Sequence, residues 1–242
     1  MKKTLLLTIL LLVNLYANNL EIGYEAFKKG DYKIALELLE PLAKTGNAKA
    51  QNTIGIMYMR AYGVSRNYDK AISWFKKSAE QGNMKSEFNL GLMYSEFYEK
   101  RDYKLAVHWY EKSAKKGFPL ALQNLAHMYS SGHGGVPIDN KKAIDYYRIL
   151  ADKGYSEAEF RIGLMYARGN APSGIDYDKA LYWFKKSAKK DNAHAQKFLG
   201  YSYCVVEHIK DLKQCAYWLK KAKAKNMEVS KIWNQYKLWQ YE

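Results

Sequence analysis

The chain has 242 residues, 48% hydrophobic, 15% aromatic and 26% charged, with a formal net charge of +15 at pH 7. Such aromatic content excludes a disordered chain, and the cationic excess favours acidic partners and anionic surfaces. One ordinary core is near its upper size at this length, whereas an array whose units touch only their neighbours has no such limit.

Residues 1–17 read as a secretory signal peptide: Met1-Lys2-Lys3-Thr4, an uncharged run from Leu5 to Val13, then Leu15-Tyr16-Ala17 before Asn18 and Asn19. The apolar run is about half of the roughly 20 residues a membrane span needs, so cleavage after Ala17 is expected and the mature chain is not expected to span a membrane. Neither cysteine lies in the first 200 residues, so an N-terminal lipid has no acceptor. The expected address is the bacterial periplasm or the exterior, where nucleic acid is not an expected partner.

Residues 18–46 hold a degenerate hairpin, with Gly23 and Ala26 followed by the turn Gly30-Asp31-Tyr32 and Ala35. From there a pattern recurs. Gly55/Tyr58, Gly91/Tyr94, Ala126/Tyr129, Gly163/Tyr166 and Gly200/Tyr203 each place a tyrosine three residues after a small one, and the small residues are separated by 36, 35, 37 and 37 positions. Each is answered by Ala71, Ala106, Ala143, Ala180 or Cys215, and three residues later by Trp74, Trp109, Tyr146, Trp183 or Trp218. In residues 155–191, Ala158, Ile162, Gly163 and Tyr166 form one helical stripe, and Ala180, Trp183, Phe184 and Ala188 form another. The segment between, Gly169 to Ile175 with Pro172, is not helical throughout. Small residues let two helices cross closely, while Tyr166 and Trp183 are expected to supply buried area.

The expected architecture is an all-α solenoid of about six antiparallel hairpins: 18–46, then 47–82, 83–117, 118–154, 155–191 and 192–226. The units end at Gly46, Gly82, Gly117 and Gly154, the expected left-handed helix stops, and the last two at Asp191 and Asn226. Residues 227–242 are expected to form a capping helix, with Val229, Ile232, Trp233, Tyr236 and Trp239 along its apolar stripe.

The unit Gly-x-x-Tyr, the loop Gly63-Val64-Ser65-Arg66-Asn67-Tyr68-Asp69, then Lys70-Ala71-x-x-Trp74-Phe75-x-Lys77-x-Ala79-x-x-Gly82, resembles the Sel1-like repeat, a relative of the tetratricopeptide repeat. The resemblance covers residues 47–226 and implies a right-handed α-solenoid acting as an adaptor for other proteins. Units 83–117 and 192–226 depart from it, carrying Glu96 to Asp102 and Val205 to Leu212 where the others have glycine-rich loops. Some exported relatives with a cysteine pair in every repeat are described as β-lactam-binding or β-lactam-hydrolysing, which is the alternative the resemblance implies. This chain has one pair, Cys204 and Cys215, on facing stripes of the sixth hairpin, and a disulfide between them is expected in an oxidising compartment.

Ser73 to Lys76, Ser113 to Lys116 and Ser187 to Lys190 match Ser-x-x-Lys, with Ser65-Arg66-Asn67 and Lys44-Thr45-Gly46 matching its companion motifs. Their order is reversed and no segment alternates with period two, so they read as coincidence. The five histidines show no metal spacing, and no catalytic residue, metal or cofactor is expected. Binding is expected on the concave side, lined by the first helix of each hairpin. The positions projecting off the packing stripe are Asn52, Ile56 and Arg60; Phe88 and Leu92; Gln123, His127 and Ser131; Phe160, Leu164 and Arg168; and Lys197 and Tyr201. Apolar anchors interleaved with amides and cations suit another protein or a peptide of acidic character. Phe88, Leu92, Phe160 and Leu164 suit packing between repeats equally well.

Overall fold

The computed structural model describes residues 18–97 and 101–241, so the expected signal peptide lies outside the described residues. The chain divides into two compact units, Met1–Ala121 and Leu122–Glu242. The first unit holds α1 (residues 18–29), α2 (Tyr32–Lys44), α3 (Ala48–Arg60), α4 (Tyr68–Glu80), α5 (Met84–Leu92) with a π turn at Met93–Phe97, and α6 (Tyr103–Lys115). The boundary falls within α7 (Pro119–Ser131). The second unit continues with α8 (Asn140–Asp152), α9 (Ser156–Ala167), α10 (Tyr177–Lys189), α11 (Ala193–Val205), α12 (Leu212–Lys223) and α13 (Ser230–Gln235). No strand occurs among the described residues. In the first unit α2 to α6 pack each on the next, and in the second α8 to α12 do the same.

Local sequence explains the helix ends. Asn47, Asn67, Asn83, Asp102, Asp139, Asp176, Asn192 and Asp211 each accept a backbone N–H of the first turn through the side chain. At the other ends Gly46, Gly82, Gly117, Gly154, Asp191 and Asn226 all take positive φ, as expected of left-handed stops.

Inside each hairpin one bond sets the turn. The backbone N–H of Asn67 donates to the carbonyl of Tyr58 (3.0 Å), Asp102 to Tyr94 (2.9 Å), Asp139 to Tyr129 (2.9 Å), Asp176 to Tyr166 (3.1 Å) and Asp211 to Tyr203 (2.9 Å). The residue that caps the second helix thus ties itself to the end of the first. The hairpins lacking a glycine-rich loop close in the same way, through a π turn in one and a 3-10 turn, Glu207–Ile209, in the other.

The hairpin core corrects one expectation. The side chain opposite the repeat glycine is not the tryptophan but the residue after it, a ring in three hairpins and Leu219 opposite Gly200. A Cβ on Gly55 would fall 2.6 Å from Phe75, on Gly91 2.4 Å from Tyr110, and on Gly163 2.6 Å from Phe184. Trp74, Trp109, Trp183 and Trp218 are half-buried, each beneath a lysine ammonium at 4.5 to 5.3 Å from the ring centre. The helical step of 100° explains this: moving one residue along turns the ring from the hairpin's flank into its centre.

A polar clasp links the open ends of three hairpins, opposite their turns. Ser78 donates to the carbonyl of Ala48 (2.6 Å), Ser113 to Met84 (2.7 Å) and Ser187 to Ser156 (2.6 Å). Three residues on, Gln81 donates to Gln51 (2.8 Å), Lys116 pairs with Glu87 (2.5 Å), and Lys190 pairs with Glu159 (2.8 Å). Lys116 and Lys190 also reach back to the carbonyls of Gly82 (2.9 Å) and Gly154 (3.2 Å), the stops of the preceding hairpins. These lysines therefore join neighbouring repeats while their side chains stay partly exposed.

Cys204 and Cys215 are joined, with their Cα atoms 5.5 Å apart. They share a buried cluster with Leu219, Ala222, Val229, Trp233 and Leu238. The cap is shorter than its apolar stripe predicts: α13 ends at Gln235, Lys237 takes a φ of 50°, and a 3-10 turn follows over Leu238–Tyr241. That break turns Leu238 inward and leaves Trp239 50% exposed.

Candidate binding surface

The thirteen candidate positions separate by burial. Asn52 is buried, its Oδ1 2.9 Å from both Ser86 Oγ and Asn89 Nδ2 of the next hairpin. Phe88 is buried against the rings of Tyr110 (5.7 Å) and Phe118 (5.1 Å), and Phe160 against Phe184 (5.9 Å), His194 (5.6 Å) and Phe198 (5.4 Å). These three sit inside repeat packing and are withdrawn from the binding surface. Ile56 and Leu92 are half-buried, Gln123 is exposed, and the exposed Arg60 lies 5.2 Å over the Phe97 ring.

The other six candidates line two cavities in the second unit, Leu164 among them although it is itself buried. His127, Ser131, Leu164 and Arg168 line one of about 220 Å³, completed by Ser130, Tyr147, Arg161, Met165 and Asn170. Lys197 and Tyr201 line another of about 670 Å³, with Phe198, Leu219, Val229, Ile232, Glu228, Lys231 and Gln235 around them. Repeat register explains the first: α7 and α9 present equivalent faces one repeat apart, so residues one and five after each small residue approach each other.

The two cavities differ in chemistry. The larger is walled mainly by apolar side chains from α11, α12 and α13, with Lys197, Lys231 and Glu228 at its edge. Glu228 accepts from the backbone N–H of Ser230 (2.6 Å), and this bond holds its carboxyl below the usual range. The smaller is cationic. Arg161 pairs with Glu157 at 2.7 Å, and burial pushes the Tyr147 hydroxyl above its ordinary pKa.

Several lining residues were not among the candidates. Arg161 and Phe198 both stand two positions before the small residue of their repeats, the register shared by Thr53, Asn89 and Asn124. Adding that register to the projecting positions would have identified them. Tyr147, Val229 and Ile232 come from other helices, and no spacing on α7, α9 or α11 announces them.

The remaining motifs find structural work. Ser113 and Ser187 donate to backbone carbonyls and Lys116 and Lys190 form the clasp, so two of the three Ser-x-x-Lys matches are repeat architecture. Ser73 is exposed on α4. His194 stacks on Phe160, and His208 lies 3.1 Å from Asp178 on an exposed face.

Among known families, the Sel1 repeat matches residues 48–83, 85–118, 119–155, 156–192 and 193–227. The chain is similar to the Sel1 repeat protein from Oxalobacter formigenes, with 32% identity, a TM-score of 0.70, and coverage of 87% of this chain and 86% of that one. It is also similar to a protective antigen present in uropathogenic Escherichia coli strains displaying an SLR fold, with 30% identity and a TM-score of 0.71. That match covers 86% of this chain and 45% of the antigen. No curated protein sequence matches the chain.

Proposed function

From the premise that the chain belongs to the Sel1 repeat family, we propose that it is a non-catalytic binding module for another protein or peptide, acting in the bacterial cell envelope or outside the cell. The observation that carries this reading is the opening of six candidate first-helix residues, drawn from three successive repeats, onto two cavities in one compact unit. The larger has the size of a pocket for a small ligand or an inserted side chain. Its Phe198, Tyr201, Val229 and Ile232 suit an apolar anchor, and the lysines at its edge suit an acidic peptide around that anchor.

Export is supported by the charge and apolar pattern of residues 1–17 and by the disulfide, which persists in an oxidising compartment. No helix among the described residues is long and apolar enough to cross a membrane. N-terminal sequencing of the exported chain is expected to begin at Asn18, and a start at Met1 would contradict export by cleavage.

The binding test is capture from an envelope extract by the mature chain, followed by affinity measurement with the captured partner. Tyr201→Ala with Ile232→Ala is expected to weaken binding by at least 1 kcal/mol, while Ser73→Ala leaves it unchanged. A folded double variant that binds as tightly as the parent overturns the cavity as the anchor site. Nitrocefin hydrolysis by the mature chain is expected to stay at the buffer rate.

A further inference from the structure

We infer that the smaller cavity of the second unit is a carboxylate subsite, a step that rests on the binding reading above but concerns a different cavity from its anchor pocket. Arg161 on α9 and Arg168 at its C-cap, about two helical turns apart, both line it, with His127 and the Asn170 amide beside them. No aspartate or glutamate is in the lining. Arg161 shares its charge with Glu157, whereas Arg168 has no acidic partner among the described residues. The lining therefore carries two guanidinium groups and no carboxylate, with Arg161 alone paired, which suits a small anion.

The floor sharpens the choice. Ser130 and Ser131 donate to the carbonyl of His127 at 3.0 and 2.8 Å, so their hydrogens are engaged and the donors left to a ligand are guanidinium, amide, imidazole and phenol groups. The Tyr147 hydroxyl is buried and stays a neutral phenol, adding no negative charge. Leu164 and Met165 supply apolar wall, which strengthens a charge interaction by excluding water. Guanidinium groups bind planar two-oxygen anions through parallel N–H donors. A volume of about 220 Å³ admits a carboxyl group and its carbon stem but not a nucleotide or a sugar chain. The occupant is thus a peptide carboxylate, from a C-terminus or an acidic side chain.

The test uses the mature chain and nuclear magnetic resonance of the arginine Nε–Hε groups. Acetate and N-acetyl-tetra-alanine with a free C-terminus are expected to shift Arg161 and Arg168 saturably, and the same peptide as its C-terminal amide is not. Arg168→Gln is expected to weaken acetate binding about tenfold or more, as loss of a charged hydrogen bond does, with Arg168→Lys intermediate. Because Arg168 is exposed, its variants should fold, which unchanged backbone spectra verify. Inorganic phosphate binding more tightly than acetate overturns the carboxylate assignment. Shifts that do not saturate, or that survive Arg168→Gln, overturn the site. Partner capture lost in the Tyr201 variant but kept in Arg168→Gln sinks this inference and leaves the binding reading intact; saturable acetate binding without any partner capture does the reverse.

Discussion

Gly163 shows what a single atom decides in this chain. A Cβ there would stand 2.6 Å from the Phe184 ring, and Phe184 is 1% exposed, so the ring has nowhere to move. Gly163→Ala is expected to destabilise the protein by about 1–3 kcal/mol through overpacking, measured by urea denaturation. Tyr147 is a second residue whose setting determines its chemistry. Burial raises its folded pKa above the unfolded value near 10. The neutral phenol therefore contributes stability that is fully present below the unfolded pKa and is lost as pH rises through the folded one. Absorbance titration at the phenolate band should show this tyrosine ionising after the exposed ones, with loss of helical signal accompanying it. A Tyr147→Phe chain whose late transition is unchanged contradicts the assignment.

Elements are held together by the clasp and the disulfide, and both give predictions by position. Glu87 and Glu159 are buried, but their partners differ: Glu87 pairs with Lys116, whereas Glu159 is reached by both Lys190 at 2.8 Å and Lys186 at 3.4 Å. Removing the partner of a buried carboxylate leaves its charge uncompensated, a loss of about 3 kcal/mol or more. Lys116→Ala should therefore destabilise clearly more than Lys190→Ala, because Lys186 remains in the second case. Equal effects in denaturant melts would contradict that account. The Cys204–Cys215 bond closes a short loop between α11 and α12 and is expected to contribute about 2–3 kcal/mol. Replacing both cysteines by serine should raise amide hydrogen exchange in α11 to α13 and leave α3 to α6 unchanged. Faster exchange throughout would show that the sixth hairpin supports more than its neighbours.

At the scale of the whole chain, repetition makes stability nearly a sum of local and neighbour contributions. Gly55 faces Phe75 in the first unit and Gly163 faces Phe184 in the second, with no partner in common. Alanine substitutions at the two sites are expected to add within about 0.5 kcal/mol, and a double-mutant cycle checks it. A larger interaction energy would mean that strain in one unit is relayed to the other.

Repeat length, hairpin register, helix stops and the cysteine pair were all legible in the residues, because each depends on spacing along one helix or on the left-handed preference of a single residue. Gly-x-x-Tyr with its answering alanine sets the array, and Gly82 or Asp191 ends a helix whatever surrounds it. The candidate surface was legible only in part. Asn52, Phe88 and Phe160 share the register of residues that face open space, and only the packing of the next hairpin against them decides that they are interior. Cavity walls likewise combine side chains from three helices, so Tyr147 joins Arg161 and Ile232 joins Tyr201 through folding alone. A period along one helix determines which way a side chain points, but what it meets there depends on chain tens of residues away, and no local spacing encodes that.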